Sequence, residues 1–239
     1  MAKTPSVAIV VNSPGGSPVQ SSLILKRLRA LSEEKKKKIH VFCEDVVASG
    51  GYYIALAGDE IYAEPSSIIG SIGVISSGFG FNKAMDKLGV ERRIYTAGRS
   101  KSILDPFLPE KAEDVERLAE LQRDAHDVFI SVVKERRSEK LKGADSELFS
   151  GAFWSGKKAL ELGLIDGISD LRTKMRDIYG EKVRLKNVPL ERGGFFSRLK
   201  RLPSLGRAME NITSSQDLLL TEDVITSLEI RALWGRYGL

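Results

Sequence analysis

Histidine and cysteine are scarce in this chain: 239 residues include two histidines and one cysteine. A single cysteine excludes an intrachain disulfide, so bridges say nothing about compartment. Cys43 sits inside an apolar, strand-like run and reads as a small core residue rather than a nucleophile. The two histidines give a Ser-His-Asp triad little to work with. His40 follows a lysine run at the start of a strand, and His126 falls on a long helix. Neither has a glycine-rich or polar loop around it, so both read as surface or satisfied core residues. Long apolar runs are also missing; none approaches the ~20 residues of a membrane-spanning helix. The first five residues lead straight into a strand and do not form a secretory signal. A complete chain of this kind is expected in the cytoplasm; otherwise its membrane anchor lies outside it. The net charge is a modest +5, spread along the chain except for Lys35-Lys36-Lys37-Lys38 and residues 192–207. Basic residues interleaved with aromatics are absent near the candidate site, so no nucleic-acid partner is expected.

What is present supports a packed α/β domain, with 42% hydrophobic and 29% charged residues. The β-branched run at 6–11 has no polar alternation and predicts a strand buried on both faces. It ends in the turn-rich loop Asn12-Ser13-Pro14-Gly15-Gly16-Ser17-Pro18. A helix over 19–31 and a strand over 39–43 follow. Next comes Ser49-Gly50-Gly51, opening a helix-like run of aromatic and small apolar residues. This order is a right-handed βαβα arrangement with its ligand loops at the strand C-termini. Further on, the pattern predicts a strand at 59–63, a glycine-broken strand at 68–75 and a helix at 83–88 ended by Gly89. An alternating strand at 91–96 and a long helix over 109–137 come next. They are followed by a helix at 156–162 capped by Ser155, an amphipathic helix at 170–179 and a strand at 183–188. Composition shifts at 191, giving a domain at 1–190 and a basic, partly helical tail at 191–239. Its segment 195–202 is either a solvated helix or a peripheral contact with an anionic membrane surface.

Ser49 lies where a strand turns into a helix. Such a serine either caps the helix or presents its hydroxyl to a substrate. A serine hydroxyl needs a base to attack at neutral pH, and lysine is the established alternative to histidine. Its ammonium must lose water or gain a positive neighbour to fall from ~10.4 toward neutrality. Lys101 is the candidate: it follows Gly98 in a loop and precedes Ile103, Leu104 and Phe107, which are expected to desolvate it. The tetrahedral oxyanion needs fixed N–H donors, which the amides of Gly16 and Gly50 offer from two adjacent loops.

Four motifs occur in order: Asn12-Ser13-Pro14-Gly15-Gly16, Ala48-Ser49-Gly50-Gly51-Tyr52-Tyr53, Gly70-Ser71-Ile72-Gly73-Val74 and Gly98-Arg99-Ser100-Lys101-Ser102-Ile103-Leu104-Asp105-Pro106. Together they resemble the signal peptide peptidase A (SppA/SohB-like) family of Ser-Lys serine peptidases, over residues 7–188. The resemblance implies a ClpP/crotonase-like α/β spiral of ββα units, with a largely parallel sheet and flanking helices. It implies that Ser49 is the nucleophile, Lys101 the general base and Ser71 the side chain that orients the lysine amine. The amides of Gly16 and Gly50 then form the oxyanion hole, and no metal or cofactor is needed. The implied substrates are signal-peptide remnants or other apolar peptides near a bacterial membrane. The implied assembly is a homo-oligomeric ring, with the lysine serving the serine of its own or of a neighbouring subunit. Family members carry one or more strands and a helix ahead of the Asn12–Gly16 loop, and a membrane anchor ahead of those. A chain opening almost on that loop is expected to leave a sheet edge uncovered. Two other readings stand beside the peptidase: an inactive family member acting in assembly or binding, and a crotonase-like acyl-CoA enzyme. The latter ranks last, because such enzymes pair oxyanion amides with carboxylates rather than with a Ser-Gly-Gly elbow and a distant lysine.

Overall fold

The computed structural model describes residues 4–98, 100–188, 234, 235 and 237. It divides the chain into two units, Met1–Leu171 and Arg172–Leu239. The basic segment at 195–202, and most of the expected tail, lie outside the described residues.

The first unit opens with β1 (Ser6–Ser13), α1 (Pro18–Lys35) and β2 (Lys38–Ala48). Ser17 starts α1 by accepting a hydrogen bond from the Gln20 amide, and Pro18 supplies a preset φ in the first turn. Lys36 ends the helix at φ 50°, in the left-handed region. The short helix α2 (Gly50–Ala55) leads to β3 (Glu60–Ala63) and β4 (Ile68–Gly70). Then come α3 (Asn82–Leu88), the long α4 (Ala112–Arg137), α5 (Asp145–Leu148), β5 (Phe153–Ser155), α6 (Gly156–Glu161) and β6 (Gly167–Ile168). In the second unit, α7 (Leu171–Tyr179, its first residue belonging to the first unit) buries Met175.

The six strands form one sheet in the order β5-β4-β2-β3-β6, with β1 also paired to β2. Every pairing is parallel except β4 with β5. β2 changes neighbours along its length: His40 to Cys43 pair with β3, and Val46 to Ala48 pair with β4. Glu44 and Asp45 lie exposed between the two pairings. At the same level the β1 register shifts between Val11 and Ser13. A strand that hands over from one neighbour to another curls the sheet, and the result is the expected α/β spiral of the ClpP/crotonase type. The outer edge of β1 has no strand partner among the described residues, and Val7 and Val10 are exposed on it.

One apolar cluster joins Val41, Val47, Tyr52, Leu56, Ile61, Ile69, Ile72 and Leu164 with Phe129 and Val133 of α4. Each such side chain contributes ~1.5–3 kcal/mol by leaving water. Five expectations need correction. The run at 6–11 is not buried on both faces, since Val7, Ala8 and Val10 are exposed. β2 does not stop at Cys43 but runs to Ala48, with Glu44 and Asp45 facing solvent at the handover. Residues 91–96 and 183–188 form no strand. Alternation marks a strand only when a neighbour completes its ladder, and none does so for either segment among the described residues. The strand expected over 68–75 ends at Gly70, where Gly70 (φ 117°) and Ser71 (φ 52°) leave extended geometry.

Candidate active site

Ser49 is the single residue between β2 and α2, at φ 50° and ψ −122°. A non-glycine residue held there costs about 1–3 kcal/mol and needs its surroundings to fix it. The Ser49 N–H donates to the Gly70 carbonyl at 2.8 Å, and the Tyr53 N–H donates to the Ser49 carbonyl at 2.9 Å. The Ser49 side chain makes no capping hydrogen bond. The helix-cap account of this serine therefore fails, and its hydroxyl is left for other work.

The loop after β1 lies directly against it. A Cβ at Gly15 (φ 141°) would fall 3.1 Å from Ser49 Cβ and 3.4 Å from its Oγ, so only glycine fits this approach. A Cβ at Gly50 would fall 3.0 Å from the Gly16 nitrogen and 2.7 Å from Ser21 Oγ. The two candidate oxyanion amides thus belong to adjoining backbone beside one hydroxyl. The loop is tied down by Asn12, a role its sequence position did not reveal. Asn12 Oδ1 accepts from the Val46 N–H at 3.1 Å, and its Nδ2 donates to Asp45 at 2.9 Å.

Ser71 follows the carbonyl that holds Ser49 and is buried. Its N–H donates to the Ala152 carbonyl at 2.7 Å, and His126 Nε2 donates to the Ile72 carbonyl at 3.0 Å. The Trp154 ring lies 2.8 Å from where a Gly70 Cβ would be, walling this strand end. Ser49, Gly16, Gly50 and Ser71 are thus gathered at the C-terminal ends of β1, β2 and β4.

Lys101 has no hydrogen bond to that cluster among the described residues. It stands exposed on a turn closed by its N–H to the Gly98 carbonyl at 3.2 Å. No hydrogen bond or ion pair among the described residues engages its ammonium, and Ile103, Leu104 and Phe107 do not cover it as expected. The segment carrying it packs on itself. Phe81 stacks on Phe107 at 5.6 Å, and Arg92 lies over the same ring while pairing with Asp105 at 3.2 Å. A cavity of about 420 Å³ there, lined by Met85, Val90, Arg92 and Phe107 among others, contains none of the site residues.

Neither histidine serves Ser49. His40 is buried near the opposite end of β2, roughly 25 Å along the strand. It bonds Glu60 at 3.0 Å through Nδ1. His126 is committed to the Ile72 main chain. Burial pushes the Cys43 thiol up to about 12, so it is no nucleophile either. Among the described residues no group of three or more His, Cys, Asp or Glu side chains could hold a metal ion, and no helix is long and apolar enough to cross a membrane.

Comparison with known proteins shows the family. The model of peptidase family S49 matches residues 32–183. The chain is 54% identical to the Na(+)/H(+) antiporter NhaA of Brucella abortus over 98% of its own length, but over only 32% of that protein. It is 30% identical to the chloroplastic serine protease SPPA of Arabidopsis thaliana, covering 94% of this chain and 33% of the relative. It is 32% identical to a protein named "Probable protease SohB" from Buchnera aphidicola, covering 73% of this chain and 52% of the relative. The chain therefore spans between a third and about half of the relatives it matches.

Proposed function

The chain belongs to peptidase family S49, and from that premise we propose that it is a serine endopeptidase with Ser49 as nucleophile and Lys101 as general base. The observation that carries this reading is the state of Ser49: backbone in a costly conformation, hydroxyl uncapped and set against Gly15 beside the Gly16 and Gly50 peptides. A substrate carbonyl at that hydroxyl would meet both amides, which suits an oxyanion. The lysine must be uncharged to accept the serine proton, and Lys101 stands in water here. A second copy of the chain that covers the Lys101 turn would remove that water and bring the amine to Ser49. We therefore propose that the active form is a homo-oligomeric ring, with Ser71 receiving the incoming lysine.

Apolar peptides such as signal-peptide remnants are the proposed substrates. The proteins named SPPA and SohB support proteolysis. A domain 54% identical to this one, within a larger protein named as an antiporter, supports work beside a membrane. The exposure of Lys101 also favours a second reading: an inactive member serving assembly or binding.

Labelling with a fluorophosphonate probe, followed by mapping of the modified residue, separates the two. A peptidase is modified at Ser49, loses modification in Ser49→Ala and loses peptide hydrolysis in Lys101→Ala while staying folded. Absence of labelling in an assembled wild-type protein leaves only the binding role.

A further inference from the structure

The helix that begins at Ser49 is held from its far end. α2 has six residues, too few to be stable alone. Its last turn tightens, with the Ala57 and Gly58 amides bonded to the Ile54 and Ala55 carbonyls at 3.0 Å. The carbonyls of Leu56, Ala57 and Gly58 are then left without helical partners, as at any helix C-terminus. Two guanidinium groups take all three. Arg136 Nε donates to the Leu56 carbonyl at 2.8 Å, and its second nitrogen donates to the Gly58 carbonyl at 3.0 Å. Arg29 donates to the Ala57 carbonyl at 3.2 Å and pairs with Asp59 at 2.8 Å. Arg136 comes from the last turn of α4 and Arg29 from α1, so the clamp is anchored in two long helices.

We infer that Arg136, assisted by Arg29, is a positioning residue for the Ser49 hydroxyl; this rests on Ser49 being the nucleophile. Along the axis of α2, the restraint among the described residues is the Ser49 N–H to Gly70 at one end and this clamp at the other. Sideways restraint comes from Tyr52, whose hydroxyl donates to the Leu164 carbonyl at 2.7 Å, and from the Tyr53 ring 4.8 Å from Phe129. The helix is about 9 Å long at ~1.5 Å per residue, so a shift at Leu56 passes undamped to Ser49. Guanidinium suits the task because one planar fork spans two carbonyls and its positive charge favours the C-terminal end of a helix. Misplacing a nucleophile by ~1 Å can cost about a hundredfold in rate.

The test is the rate of Ser49 labelling by a fluorophosphonate, with kcat and KM on an apolar peptide and the melting curve of each variant. Arg136→Ala is expected to label about 30- to 100-fold more slowly, with kcat falling in parallel and KM within threefold. Millimolar guanidinium ion should restore part of that rate without raising the melting temperature, a response that a merely structural role would not give. Should Arg136→Ala fail to fold, Arg136→Lys decides. An ammonium lacks the rigid planar fork that fixes both carbonyls at once, so labelling at least about fivefold slower is expected. A folded Arg136 variant labelled at the wild-type rate overturns the inference alone. Wild-type protein left unlabelled at Ser49 overturns the peptidase reading and the inference with it.

Discussion

The Ser49 elbow and the segment carrying Lys101 are built in opposite ways. At the elbow, backbone meets backbone: a Cβ at Gly51 would fall 2.5 Å from the Ser13 carbonyl oxygen. Tyr52 and Leu56 are completely buried. In the other segment, Cβ atoms at Gly78, Gly89 and Gly98 would meet nothing within 4 Å. α3 buries no residue, and Phe79 and Tyr95 are 80% and 91% exposed. Exposed aromatics of that size are unusual on a surface that stays in water. The contrast teaches that the chain by itself fixes Ser49 and the Gly16 and Gly50 peptides, the proposed nucleophile and its amides, while Lys101, the proposed base, stands exposed on loosely packed backbone.

Two substitutions sharpen this comparison. The largest effect is expected from Gly51→Ala, because neither the added methyl nor the Ser13 carbonyl can yield without moving β1 or α2. A loss of about 3 kcal/mol in denaturant unfolding, with loss of Ser49 labelling, is predicted. Gly78→Ala should change stability by less than about 0.5 kcal/mol. Equal effects at the two sites would erase the distinction.

The second pair concerns acid. Asp166 accepts from both Arg137 nitrogens at 2.8 and 3.2 Å, from Lys140 at 2.8 Å and from the Ile61 N–H at 2.8 Å. Burial alone would raise its carboxyl, but these donors outweigh it and hold it below the usual range. Asp105 is also lowered, chiefly by the Phe107 N–H, with burial opposing and Arg92 adding. A carboxylate depressed in the folded state contributes stability above its unfolded pKa of ~3.9 and loses it as pH falls through the folded value. Asp166→Asn should therefore cost about 2 kcal/mol at pH 7 and flatten the decline of stability below about pH 4. Asp105→Asn should leave global unfolding nearly unchanged at every pH. Melting curves from pH 2.5 to 7 check both.

The smallest effect is at Cys43. Its thiol, pushed up to about 12 by burial, should resist iodoacetamide at pH 8 in the folded protein and react fully in denaturant. Rapid modification of native protein would mean that the core beneath the elbow opens far more readily than its packing implies.

Local chemistry was legible in the sequence and distant chemistry was not. Gly89 closes α3 in the left-handed region and Ser155 caps α6 through the Lys158 amide, as their residue types predict. The turn into α2 at Ser49 could be read from a strand followed by Ser-Gly-Gly. What distinguishes a nucleophile from a cap there is a backbone angle fixed by Gly70, far along the chain, and no local pattern encodes it. The arginine clamp was invisible for the same reason: Arg29 and Arg136 look like any surface cations of amphipathic helices until Leu56 and Ala57 arrive between them. Residues 91–96 misled because alternation records a face and not a partner. The expected cover over Lys101 misled because apolar residues close in sequence, such as Ile103, Leu104 and Phe107, need not fold back over a side chain, and Lys101 stands exposed.

The handover in β2 has one further consequence. Cys43 is in register with Ala63, and Val46 with Ile68, so the run between them has a set length. Removing or adding one residue at Glu44 or Asp45 would reverse which way every later side chain of the strand points. The Ser49 amide would then turn away from Gly70, although no side chain of the site had been altered. Evolution can lengthen the exposed turns elsewhere in this protein at small cost. Here the address of the Ser49 hydroxyl is kept by counting, and a reading-frame of two residues guards it.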